Sequence, residues 1–150
     1  MRRDYFTPEL RNVEADEESP AVVLTFDGPS GLLGERLENG DGDPLEDGEI
    51  DVAFRYTTPV DADDAAGVLS VTNRFTGEYV LETNADATLV RDLVRAARAD
   101  DGDDEEWRYR VCIRRDDEEV ATFRKRTLLV YDSEGDLRRD SSLIPGGVEL

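Results

Sequence analysis

The chain runs to 150 residues with a net charge of −19 and 38 % hydrophobic residues, a size that supports one domain whose core needs no disulfide or metal to hold it. Histidine is absent and Cys112 is the only cysteine, which excludes internal disulfides, histidine metal sites and every nucleophile–histidine catalytic arrangement. The 37 acids face 18 bases, of which Lys125 is the sole lysine; such a surface repels itself in dilute buffer and is relieved in molar salt, where the screening length falls to about 3 Å, so the composition points to a cytoplasm rich in potassium chloride.

Met1-Arg2-Arg3-Asp4 opens the chain without an apolar stretch behind its arginines, and no later run reaches the length of a membrane span; a cytoplasmic protein is expected. Tyr5 to Val13 reads as a short edge strand, ended by the acidic stretch Glu14 to Ser19 and by Pro20. Ala21 to Phe26 is a continuous apolar run closed by Asp27-Gly28-Pro29-Ser30-Gly31, the pattern of a buried strand before a turn. Gly31 to Gly48 is a glycine- and acid-rich connection whose leucines support a helical turn or a flap. In Glu49 to Thr57 the residues Ile50, Val52, Phe54 and Tyr56 alternate with Asp51, Ala53, Arg55 and Thr57, which predicts a strand with one buried and one wet face. An acidic linker, Val60 to Ala66, leads to Val68 to Asn73 and Glu78 to Thr83. These form a hairpin through Arg74-Phe75-Thr76-Gly77, with Gly77 at positive φ.

Leu89, Val90, Leu93, Val94 and Ala97 fall on one stripe and predict a helix over residues 86–99, capped by Asn84 or Asp86 and ended near Gly102. Trp107 to Arg114 and Val120 to Tyr131 read as a hairpin around Arg115 to Glu118. After a turn at Asp132 to Asp136, Leu137 to Ile144 reads as a last edge strand before Pro145-Gly146-Gly147. The sum is an α+β fold over a single domain, residues 1–150: a mainly antiparallel sheet of about six to seven strands with one helix packed on it.

The chemistry is sparse. Cys112, between Val111 and Ile113, is expected as a packed residue rather than a reactive thiol. Gly28-Pro29-Ser30-Gly31-Leu32-Leu33-Gly34 lacks the lysine of a phosphate loop. Asn39-Gly40-Asp41-Gly42-Asp43-Pro44 begins like a calcium loop, but Pro44 replaces the turn glycine and Ile50 the bidentate glutamate, so a solvated loop is expected. No catalytic residue, metal or cofactor is assigned. One surface has a chemical character: Trp107, Tyr109, Val111 and Ile113 alternate with Arg108, Arg110, Cys112 and Arg114, and the facing strand adds Arg124, Lys125 and Arg126. Such a basic stripe can hold a phosphate, an acidic peptide or a nucleic-acid backbone. Against this, the arginines can be cross-linked to carboxylates such as Glu78 and Glu82, and nucleic-acid binding through the backbone alone weakens steeply with salt.

The opening Met-Arg-Arg-Asp-Tyr-Phe-Thr, the segment Leu-Ser-Val-Thr-Asn-Arg-Phe-Thr-Gly-Glu-Tyr-Val-Leu, the helical Leu-Val-Arg-Ala-Ala-Arg and the stretch Arg-Lys-Arg-Thr-Leu-Leu-Val-Tyr together resemble a small uncharacterised protein family of halophilic archaea. The resemblance spans almost the whole chain, implies the salty habitat and carries over no activity or site residue. The function expected is a non-enzymatic cytosolic binding or adaptor module, with an unknown protein partner or as a homodimer joined through a sheet edge. The alternatives are nucleic-acid or anionic-ligand binding through the arginine-rich hairpin, and a carboxylate- or metal-dependent enzyme, which requires a pocket of converging Asp and Glu.

Overall fold

A computed structural model describes residues 3–11, 20–29, 31–39, 41–99 and 108–144; Trp107, Gly102 and the Pro145-Gly146-Gly147 stop lie outside the described residues. The elements in chain order are β1 (Phe6–Arg11), β2 (Ala21–Phe26), α1 (Leu32–Arg36), β3 (Ile50–Tyr56), β4 (Ala66–Asn73), β5 (Tyr79–Asp86), α2 (Ala87–Ala99), β6 (Tyr109–Arg115), β7 (Glu118–Lys125) and β8 (Leu129–Tyr131). The fold is α+β, but the single antiparallel sheet expected from sequence is two four-stranded sheets, β1-β2-β6-β7 and β5-β4-β3-β8. Each contains one parallel pair, β2 with β6 and β3 with β8, and the other pairs are antiparallel. The reason is visible in β2. Its Ala21, Val22, Val23, Leu24 and Phe26 are all buried, so the strand needs a neighbour on each edge. β1 takes one edge and β6, arriving after β3, β4, β5 and α2, takes the other in the parallel sense that a long crossover permits.

One contiguous core joins Val22, Leu24, Phe26, Val111 and Phe123 of the first sheet to Ile50, Val52, Phe54 and Leu69 of the second. The α2 stripe enters it through Val90, Leu93, Val94 and Ala97, while Leu89 packs partly buried at its margin. Leu33, Leu37 and Leu45 bring the connection between β2 and β3 into the same core, so that segment is packed down by its leucines. The hairpin turns follow their residues: Gly77 has φ +76, and Asp116 and Asp117 have φ 52 and 66, the left-handed pair of a two-residue β-hairpin turn.

The expected strand Val120 to Tyr131 is broken in two, because the chain leaves the first sheet after Lys125 and enters the second at Leu129. Two polar side chains in the interior pin the crossing. Tyr109, opposite Lys125 in the β6–β7 register, donates its hydroxyl to the Thr127 carbonyl at 2.6 Å. Lys125, only 7 % exposed, donates from Nζ to the carbonyls of Asp47 at 2.8 Å and Ile50 at 2.7 Å, at the head of β3. Burial, reinforced by the Arg74 charge and opposed by Asp51 and Asp47, lowers the Lys125 pKa. Lys125→Met keeps an apolar stem and strands both carbonyls, so a loss of about 2–4 kcal/mol is expected from the urea midpoint. A loss below about 1 kcal/mol would show that the carbonyls recruit other donors.

Tyr109 also sets a pH dependence. Burial, with the Asp51 charge behind it, holds its phenol well above the ordinary value. The unfolded chain releases this proton near pH 10, while the folded chain keeps it. The contribution is therefore complete below about pH 10 and falls above it, by up to about 1.4 kcal/mol per pH unit. Denaturant titrations on either side of that pH should show the slope, and Tyr109→Phe should flatten it; equal slopes in both proteins would assign the alkaline loss to other groups.

Leu137 to Ile144, expected as an edge strand, is held by isolated backbone bridges and by side chains instead of a continuous ladder. Isolated bridges join Leu128 to Leu143 and Tyr131 to Leu137 around a 3-10 turn at Arg139–Ser141. Arg98, in the last turn of α2, donates to the carbonyls of Asp140 and Ser142 at 2.8 and 2.7 Å. The buried Ser142 hydroxyl accepts from the Val130 amide at 2.9 Å and donates to the Arg138 carbonyl at 2.7 Å.

Candidate functional site

The arginine stripe survives in part and changes its membership. β6 turns Tyr109, Val111 and Ile113 inward, leaving Arg110, Cys112 and Arg114 on the outer face of the first sheet. Registers then align Arg11, Ala21, Arg110 and Arg124 in one row across all four strands. The Arg110 amide donates to the Pro20 carbonyl at 2.9 Å and the Arg124 amide to Asp47 Oδ1 at 3.0 Å. Both amides thus point away from the facing strand, so Arg110 and Arg124 form a non-hydrogen-bonded backbone pair, the closer kind, with Cα atoms about 4.5 Å apart. Like charges so placed repel.

Arg108 precedes β6 and Arg126 follows β7, each one residue outside its strand, and the Arg108 amide donates to the Lys125 carbonyl at 2.9 Å. Arg114 sits at the far end of β6, where its guanidinium donates to the Asp117 carbonyl of its own hairpin. Lys125, grouped with the stripe on sequence grounds, points the opposite way into the core. Glu78 and Glu82, named as possible cross-strand partners, belong to the β4–β5 hairpin of the other sheet. The middle of the face is apolar: Ala21, Val23 and Cys112 form a second small buried cluster. Burial pushes the Cys112 thiol up, in keeping with a packed residue.

The loop that begins like a calcium site is closed on itself. Asn39 Oδ1 accepts the amides of Asp41 and Asp43 at 2.9 and 3.1 Å, and the Asn39 amide donates to the Asp43 carbonyl at 2.8 Å. Among the described residues no three Cys, Asp or Glu side chains converge to hold a metal ion, and no helix is long and apolar enough to cross a membrane.

A second feature lies at the β4–β5 turn, which the sequence places correctly while leaving the exposure of its aromatic side chains unread. Phe75 is 75 % exposed and Tyr79 54 %, an aromatic pair at one end of a highly charged body. The turn that carries Phe75 is tightly bonded. Asn73 Oδ1 accepts the amides of Phe75 and Thr76 at 2.9 and 3.1 Å, and Gly77 donates to the Asn73 carbonyl at 2.9 Å. Arg74 donates to Asp51 Oδ1 from Nε at 3.1 Å and Nη2 at 2.7 Å, while its amide reaches the Glu49 carbonyl at 2.8 Å. The available signal was a phenylalanine at the tip of a turn, where Gly, Asn, Asp and Ser ordinarily stand.

No curated protein and no solved structure matches the chain. A family model matches residues 1–150, and its description is "Family of unknown function (DUF5793)".

Proposed function

The chain belongs to DUF5793, a family of unknown function, and we propose that it is a non-enzymatic binding or adaptor module of a haloarchaeal cytoplasm, docking a protein partner through the β4–β5 turn. The observation that carries this reading is Phe75, a large apolar side chain held out into solvent by a turn whose backbone is already hydrogen-bonded. A rigid aromatic anchor loses little conformational entropy on docking, which is the property of interface hot spots. High ionic strength screens charge contacts but leaves apolar ones effective, so an aromatic tip suits the setting. The habitat is further supported by the single lysine, which sits in the interior and leaves the surface cations to arginine.

A photo-crosslinking phenylalanine analogue at position 75, irradiated in a halophilic host, should give a discrete adduct that the same analogue at the exposed Val120 does not. Equal labelling from the two positions, or none from position 75, would sink the reading.

The close Arg110–Arg124 pair supports a second reading, an anionic ligand laid along the row with Arg11, Arg108 and Arg126 beside it. Fluorescent polyphosphate titrated in molar potassium chloride should then bind, and Arg110→Ala with Arg124→Ala should weaken it; binding that ignores both substitutions would remove this alternative.

A further inference from the structure

We infer that Lys125 is a positioning residue for the Phe75 turn and acts on it from the other sheet through the segment Asp47 to Asp51. The inference deepens the docking reading and, where it concerns a partner, rests on it. A docking tip needs a fixed shape and a fixed direction. The shape is local: the amides of Phe75 and Thr76 reach Asn73 Oδ1, that of Gly77 reaches the Asn73 carbonyl, and that of Glu78 reaches Thr76 Oγ1 at 3.2 Å. None of these bonds ties the tip to the body. The β3–β4 ladder ends at the pair Ile50–Asn73. Beyond it, among the described residues, every hydrogen bond from positions 74–77 to a point outside the β4–β5 hairpin comes from Arg74. Phe75 is too exposed for packing to take their place.

The acceptors of Arg74 interleave with those of Lys125. The Arg74 amide takes the Glu49 carbonyl and its guanidinium takes Asp51, while Lys125 Nζ holds the Ile50 carbonyl between them and the Asp47 carbonyl before them. Glu49 and Ile50 are consecutive. Their carbonyls belong to two rigid peptide planes hinged only at the Ile50 Cα, one carrying the turn and the other the lysine. The 3-10 turn Asp47–Glu49 stiffens the segment further, with the Glu46 amide on Glu49 Oε1 at 3.0 Å and the Glu49 amide on the Glu46 carbonyl at 2.9 Å. Asp47 Oδ1 takes the Arg124 amide, so β7 grips this brace at both Asp47 and Ile50.

Salt decides which grip sets the direction. The Arg74–Asp51 pair is about half-exposed, where molar salt screens it. Lys125 is buried, and its bonds to carbonyls are screened much less. Arg36 Nη1 also donates to the Tyr79 carbonyl at 3.1 Å, but this steadies β5 past the turn and leaves residues 74–77 to the brace.

Hydrogen exchange in molar potassium chloride reads the Arg74 amide directly, with amides of the central strand β2 reporting global opening. Lys125→Met should speed exchange at Arg74 by about tenfold or more. Val94→Ala, in the buried stripe of α2, lowers global stability away from the brace and should leave Arg74 unchanged. Asp51→Asn should act less than Lys125→Met. Asp47→Ala, which removes the acceptor of the Arg124 amide and keeps the lysine, should act in the same direction as Lys125→Met and carries the test should that variant not fold. Arg74 exchange indifferent to the brace variants, or quickened equally by Val94→Ala, overturns the inference, as does an Asp51→Asn effect as large as that of Lys125→Met. The crosslinking analogue at position 75 should lose its adduct in Lys125→Met and keep it in Val94→Ala; an adduct retained in both overturns the link to docking. No adduct from the wild type sinks the docking reading alone, since the exchange result stands without a partner.

Discussion

Moving the protein from molar potassium chloride into dilute buffer should unfold it. The 37 acids outnumber the bases by about two to one, and lengthening the screening distance from about 3 Å to about 30 Å makes each carboxylate feel charges across the whole domain. Three ion pairs among the described residues do little to offset this. Arg11–Glu9, Arg74–Asp51 and Arg95–Asp92 all have substantially exposed side chains, where a pair is worth about 0–1 kcal/mol. Circular dichroism should lose its strand signal on dialysis and recover it when potassium chloride returns. Sucrose, which strengthens burial without screening charge, should restore it poorly. An unchanged spectrum in dilute buffer would contradict both the charge argument and the proposed habitat; full rescue by sucrose would place the salt effect in the hydrophobic core.

Gly67→Ala should be among the most damaging single substitutions. Gly67 lies on the buried face of β4, opposite Tyr56 of β3. A Cβ placed there would stand 2.1 Å from the Arg55 carbonyl oxygen and 2.7 Å from Phe54 Cζ. The phenyl ring has some freedom, but the oxygen belongs to the neighbouring strand and retreats only if the β3–β4 ladder opens. A loss of about 3–5 kcal/mol is expected, a large share of the stability of a typical domain, about 5–15 kcal/mol. Gly34→Ala is the matching control. Nothing lies within 4 Å of its added methyl, and in a helix the change should gain up to about 1 kcal/mol. Urea midpoints in molar salt would distinguish the two; similar shifts at both positions would mean that chain entropy, rather than the contact with Arg55, governs position 67.

The elements that were legible are those whose signal is local. The alternation of Ile50, Val52, Phe54 and Tyr56 marks β3, the stripe from Leu89 to Ala97 marks α2 within a residue of its observed start, and Gly77 marks its turn, because period and backbone conformation are properties of neighbouring residues. The arginine stripe was legible for the same reason on β6, where alternation puts Arg110 and Arg114 on one face. It failed at Lys125, whose place one residue after Arg124 puts it on the opposite face. Phe75 was read only as part of a turn, since exposure depends on what the rest of the chain leaves uncovered.

Composition and local pattern by themselves determined the charge problem, the lack of histidine and of a second cysteine, the α+β class and most strand and helix positions. Only the tertiary structure decided that there are two sheets, that β2 meets β6 and β3 meets β8 in parallel, that the run from Val120 to Tyr131 changes sheet, and that the sole lysine is interior. These are non-local pairings. Their free energy comes from closing long loops around shared apolar faces, and a strand's own residues state how much of it must be buried without stating against which partner. Lys125 shows the difference: its sequence neighbours, Arg124 and Arg126, place it among surface cations, while the carbonyls of Asp47 and Ile50, more than seventy residues away, draw it inside.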